Sequence, residues 1–258
     1  MPGCVCPHPP LLVPEIGRDG RAAVSATIAA MQRLSTLLGT LDTVVAISPH
    51  TPGYGDAFTV KSAPALRGDF AAFGCPTVGR EMPCDLEFVD TLLELAHGEG
   101  GLLLESVDDD SLDHGILVPL TFLAPQRLVS LSVVNSYESH KALGSLVRRC
   151  ADQLARPVLF LASGDLSHRL IPSAPAGFDP RGRVFDASIV ELLEHGDFGG
   201  LSDLDRSLVS GAGECGLRSL IALGAYLGDD ARTNPQVLNY EGPYGVGYLV
   251  GAFGLEAA

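Results

Sequence analysis

The chain has 258 residues, a formal charge of −14, 46% hydrophobic residues, 30 Gly and 18 Pro, with a pI near 4.7. That length suits one α/β domain with a sizeable core. Its 17 basic residues are scattered, which excludes nucleic acid as a partner and disfavours an anionic membrane surface.

The start, Met-Pro-Gly-Cys, has no basic n-region and no apolar h-region, so no signal peptide is expected. No apolar stretch approaches the ~18 residues of a spanning helix. The expected compartment is the cytoplasm, with no membrane partner. Six Cys are too sparse for a disulfide scaffold. Cys75, Cys84 and Cys150 read as reduced structural thiols.

Apolar runs alternate with amphipathic ones, the pattern of an α/β architecture. A short strand is expected over Gly3–Cys6 and a helix over Arg21–Leu38. The β-branched run Thr43–Ser48 reads as a buried strand, and P-H-T-P-G-Y-G after it as a loop. Ala57–Ser62 reads as a strand and Asp85–Ala96 as a helix capped by Asp85. Strands over Leu128–Val134 and Val158–Ala162 flank a helix over Ser139–Leu154. Helices over Arg183–Glu194 and Glu214–Leu227 precede a final strand, Val246–Phe253. With no linker and no repeat, a single domain over residues 1–258 is expected.

The seven His fall into two groups. His97 and His195 each precede Gly at a helix end, which is C-cap chemistry. His140, in the first turn of a helix, reads as a solvated surface residue. His8, His50 and His168 instead each follow a predicted strand, among Pro and Gly, and His114 opens the apolar segment I-L-V-P-L-T-F-L. Loops at the carboxyl ends of strands share one edge of an open α/β sheet, where ligands bind. These four His therefore form a candidate shared site. Asp165, three residues before His168, orients that imidazole or closes an Asx turn.

Two such His need a third ligand to hold a divalent metal. Glu214, at a Gly-rich helix start, is the carboxylate candidate; it also reads as a first-turn acid paired with Arg218. Cys215 is the adjacent alternative. Two His with a carboxylate suit non-haem Fe(II), whereas two His with a Cys favour softer metals such as zinc or Cu(I).

Six segments then stand in one order: P-H-P-P-L-L-V-P-E-I-G, I-S-P-H, L-D-H-G-I-L-V-P-L, S-G-D-L-S-H-R-L, G-E-C-G-L-R-S-L and Y-E-G-P-Y-G-V-G-Y. Together they resemble the class III extradiol ring-cleavage dioxygenase superfamily, catalytic B-subunit type, which also contains the Memo proteins. The resemblance runs from about Pro7 to Phe253. It is nearest to the dioxygenase-like domain of the AmmeMemoRadiSam system protein A group.

The resemblance implies an α/β fold with a mixed central sheet flanked by helices. It implies Fe(II) held by His8, His50 and Glu214, His168 as catalytic base, and His114 assisting substrate or oxygen binding. Tyr240, Glu241 and Tyr244 would line the pocket; their other reading is a turn before the last strand. The implied activity is O₂-dependent opening of a catechol-like ring. Two alternatives stay open: a Memo-like redox or regulatory metal protein using Cys215 with copper, and a zinc-dependent hydrolase or lyase on the same ligands. Homodimers, and AMMECR1-like or radical-SAM partners, are implied by association only.

Overall fold

The structure, a computed structural model, describes residues 1–99 and 102–255. The last three residues of the expected domain lie outside them. The chain runs through β1 (Gly3–Cys6), a one-turn helix α1 (Pro14–Gly17), α2 (Ser25–Leu38), β2 (Leu41–Ile47) and β3 (Phe58–Lys61). A hairpin, β4 (Ala65–Phe70) and β5 (Cys75–Pro83), comes next. Then follow α3 (Leu86–Glu99), β6 (Leu104–Val107), α4 (His114–Leu120), β7 (Pro125–Leu131), α5 (Tyr137–Gln153) and β8 (Val158–Ser163). The last part is α6 (Arg181–Glu194), α7 (Arg206–Ala212), α8 (Leu217–Leu227), β9 (Gln236–Glu241) and β10 (Tyr248–Phe253).

Among the described residues one eight-stranded sheet has the order β6-β3-β7-β2-β8-β1-β10-β9. Its centre, β7-β2-β8-β1, is parallel. Antiparallel pairing begins at β3 on one side and at β10 on the other. The fold is thus α/β with a mixed sheet, as expected. β8 is buried along its whole length and β2 at all but one residue, which is why both read as continuous apolar runs. α8 packs against α5, β8 and β1, and α3 packs against α5, β6 and β7. α2 lies against β9 and β10. No described helix is long and apolar enough to cross a membrane.

Local chemistry explains several element ends. The Asp85 carboxylate accepts from Phe88 N at 3.2 Å, so it caps α3 as anticipated. α2 starts at Ser25 rather than Arg21, because Arg18–Val24 winds as a tighter 3-10 helix. α8 starts at Leu217 rather than Glu214, leaving Glu214, Cys215 and Gly216 in the turn before it.

Seven of the labelled elements were not anticipated: the short helices α1 and α7, and β4, β5, β6, α4 and β9. The β4/β5 hairpin alternates exposed and half-buried residues, burying only Leu66, Phe70 and Met82, and β6 and β9 are short strands at the sheet's two edges, so none carries a long apolar run. α4 contains Pro119 and is buried over Gly115–Leu120, so it shows no amphipathic period.

His140 corrects an expectation. It is fully buried, with its ring 4.9 Å from that of Phe58. Its Nδ1 bonds Ser136 O at 2.7 Å, and its Nε2 accepts weakly from Val134 N at 3.5 Å. Burial lowers its pKa to about 4. The position in a first helical turn misled because β3 supplies a ring that no local pattern shows.

Candidate metal centre

β1, β2 and β8 run parallel, so their carboxyl ends share one edge of the sheet. His8 follows β1, His50 follows β2, and Asp165 and His168 follow β8. This is the edge where open α/β sheets bind ligands.

His8 is buried, and two contacts fix it. Its backbone N donates to Asp165 Oδ1 at 3.0 Å. Its Nδ1 lies 2.9 Å from Ser163 Oγ. That hydroxyl donates its own proton to Gly115 O at 2.5 Å, so toward His8 it must accept. His8 is therefore protonated on Nδ1, and its Nε2 carries a lone pair. Burial, aided by His50, lowers the His8 pKa to about 3.

The His8 Nε2 lone pair faces other ligand atoms. His50 Nε2 is 3.2 Å away. The His50 and His114 ring centroids are 4.1 Å apart, and those of His8 and His114 are 5.4 Å apart. One ring nitrogen from each of the three His lies within 4.8 Å of the others. The His8–His50 pair fits a divalent cation. Two nitrogens each about 2.1 Å from one ion stand about 3.0–3.4 Å apart in octahedral or tetrahedral geometry. The 3.2 Å separation falls in that range.

A second layer of side chains holds this cluster, and Asp113 is its centre. Its carboxylate accepts from Ser48 Oγ at 2.8 Å and Thr51 Oγ1 at 2.6 Å. Ser48 Oγ in turn accepts from His50 N at 3.1 Å. One acid thus ties the His50 loop to the start of α4, which carries His114. A Cβ at Gly115 would meet Ser48 Oγ at 2.3 Å and Asp113 Oδ1 at 2.8 Å, so only glycine allows this approach. Ser48, Asp113 and Ser163 escaped the sequence reading; the D-H-G triplet at Asp113–Gly115 was the available signal. Phe73, at the hairpin tip, also escaped, and its ring lies 5.2 Å from that of His114.

The other anticipated residues are placed as follows. Cys215 Sγ lies 3.7 Å from His8 Nε2 and accepts from Asp165 N at 3.3 Å. Burial and the Asp165 charge hold its thiol pKa well above the ordinary value. Gly164 and Gly216 allow this contact, since a Cβ on Gly164 would lie 2.2 Å from Gly216 Cα. Glu214 Oε2 accepts from Leu217 N at 2.7 Å, capping α8, and burial raises its pKa. Its carboxylate is outside the three-histidine group. Asp165 is buried, its carboxyl pushed up to about 6 by burial. Its Oδ2 stands 3.9 Å from His8 Nε2, so its direct contacts are with His8. His168 Nδ1 is buried without a hydrogen-bond partner.

Tyr240, Glu241 and Tyr244 serve as ties. Tyr240 OH donates to Asp186 at 2.6 Å, Glu241 accepts from Thr27 N at 2.8 Å, and Tyr244 OH donates to Gly20 O at 2.9 Å. Tyr240 also borders a separate cleft of about 560 Å³ with Leu170 and Ile171.

The fold and the three-imidazole cluster define an α/β protein with a metal-competent centre at the carboxyl edge of its sheet. The family described as the catalytic LigB subunit of aromatic ring-opening dioxygenase matches residues 2–251, and the chain belongs to that family. It is 31% identical, over 97% of its length, to Protein CA_C1420 of Clostridium acetobutylicum, and spans 56% of that relative. Its fold is similar to that of the uncharacterized protein JW3007 from Escherichia coli K12, with a TM-score of 0.66. That likeness covers 98% of this chain and 99% of the other, at 19% identity.

Proposed function

We propose that the chain is a non-haem Fe(II) oxygenase that opens a catechol-like ring with O₂. The observation that carries this reading is the His8–His50 pair, with Nε2 atoms 3.2 Å apart and the His8 lone pair directed by Ser163. His8, His50 and His114 hold the metal, and Glu214 stays with the α8 cap as a wall of the site. Fe(II) held by these imidazoles would supply Lewis acidity toward the two diol oxygens. His168 takes the second hydroxyl proton, with its buried Nδ1 unpartnered in the protein. Asp165 anchors the His8 backbone, and Phe73 shields His114 from water.

A second reading is favoured by the 3.7 Å approach of Cys215 Sγ to His8 Nε2. A His8–His50–Cys215 set prefers zinc or Cu(I) and suits a Memo-like metal protein without ring cleavage. Metal analysis of anaerobically purified protein separates the two. The first reading expects iron to be lost in His50→Ala and His114→Ala and kept in Cys215→Ala, with ring-opened product from a catechol panel. Metal lost in Cys215→Ala and kept in His114→Ala selects the second. In His168→Ala, iron should remain while turnover disappears.

A further inference from the structure

One face of α6 carries a pattern that is symmetric about Ala187. Val184 and Val190 stand three residues to either side of it, and Arg183 and Glu191 stand four. Positions three and four apart share a helix face, so these five side chains form one stripe. Arg183, Ala187, Val190 and Glu191 border the cleft of about 560 Å³, whose opposite wall is Leu170, Ile171 and Tyr240. This cleft lies apart from the one that His50 borders.

The stripe is open to solvent although much of it is apolar. Val184 is 56% exposed and Tyr240, across the cleft, 36%, and Ala187 is exposed between them. Its charges are unspent as well. Arg181, at the start of the same helix, is locked to Asp179. Arg183 and Glu191 form no ion pair among the described residues.

A stripe with this symmetry is complementary to itself. When two α6 helices cross antiparallel on a twofold axis through Ala187, each residue before Ala187 faces the one equally far after it in the other copy. Arg183 then meets Glu191, and Val184 meets Val190, each contact occurring twice. Ala187, on the axis, is small enough for the helices to approach to about 8–10 Å between axes. Parallel packing would instead set Arg183 against Arg183 and Glu191 against Glu191, so the charges also select the direction. Ile171 and Tyr240 widen the apolar surface beside the stripe, toward the roughly 800 Å² per subunit that a stable interface takes. We propose that the chain forms a twofold homodimer through α6, with Arg183 and Glu191 as the pair that sets its register. The pairing depends neither on the metal nor on the ring-opening reading.

Sedimentation equilibrium of the full chain tests this. The mass should rise with concentration from the 27.0 kDa of one chain to twice that value. Arg183→Glu and Glu191→Arg should each weaken association about 10- to 100-fold, because both symmetry-related contacts turn repulsive. The double variant exchanges the two charges and should return the affinity to within about threefold of the original, the signature of a direct pair. Ala187→Arg places a long cation against its own copy on the axis and should leave a monomer. Circular dichroism verifies folding, and if Ala187→Arg unfolds, the charge exchange decides alone. A chain that stays at 27.0 kDa at every concentration overturns the proposal and leaves this face to a different macromolecule. A dimer that survives Ala187→Arg, or that neither single charge reversal weakens, overturns the α6 interface. A dimer lost in both single variants and not regained in the double overturns the Arg183–Glu191 register.

Discussion

His8 and His140 are both buried, and burial depresses both pKa values, to about 3 and about 4. They nevertheless do different work. Each donates through Nδ1, His8 to Ser163 Oγ and His140 to Ser136 O. At His140 the second nitrogen takes the backbone N of Val134, and the ring is finished as a piece of core against Phe58. At His8 the second nitrogen meets His50 Nε2 and Cys215 Sγ. Burial and a lowered pKa mark both residues, so neither identifies a ligand. What separates them is where the second lone pair points.

The largest expected effect breaks this contrast directly. His50→Ala removes the imidazole that faces His8, so bound metal should fall from stoichiometric to background by elemental analysis. His140→Ala should leave metal content unchanged and instead lower thermal stability by about 2–4 kcal/mol, the range for emptying a buried site. Loss of metal in His140→Ala would erase the distinction.

A smaller effect sharpens the role of the hydroxyl relay. Ser163→Ala leaves His8 Nδ1 without its acceptor and frees the tautomer. Metal affinity should drop about 10- to 100-fold, the usual consequence of losing an outer-shell partner. Competition against a chromophoric chelator reads this. An unchanged affinity would mean that Ser163 does not set the His8 tautomer.

The central strands and all four candidate histidines could be read from sequence, three of them because they follow a local strand pattern. The β2 and β8 runs are apolar, and His8, His50 and His168 sit just beyond strand ends. His114 follows no buried strand, and its place depends on the segment before α4. Lys61, buried in β3, grips Asp109 at 2.7 Å and anchors that segment. The ties made by Asp113, Ser163 and Asp165 all span distant parts of the chain and leave no periodic trace. The same holds for the packing of Phe58 on His140. In Glu214-Cys215-Gly216 the sequence shows two ligand types side by side, and only the turn before α8 decides which one approaches His8.

The acid dependence of stability carries a further prediction. His140 is neutral when folded down to about pH 4 but protonates near 6.5 when unfolded. Between those values the unfolded state binds more protons, so stability falls as pH drops through this window, by up to about 1.4 kcal/mol per unit. His140→Phe should flatten that part of the pH–stability curve, measured by urea midpoint. An unchanged slope would show that the ring is not held neutral.

The smallest effect comes from the second cleft, beside α6 and β9. Asp186 is fully buried, and burial raises its pKa to about 6 although Tyr240 OH and Ser167 N donate to it. The folded state therefore keeps a proton that the unfolded chain has lost between about pH 4 and 6, and above that window the buried carboxylate depends on its two donors. Tyr240→Phe removes one of them. The loss should be about 1–2 kcal/mol at pH 8 and smaller at pH 5, where Asp186 is protonated and needs less donation. Metal content should not move, since Tyr240 stands in a different cleft from His50. A pH-independent loss would mean that Tyr240 contributes packing alone. A loss of metal would join the two clefts through the Ser167–His168 segment and make the site larger than the histidine cluster.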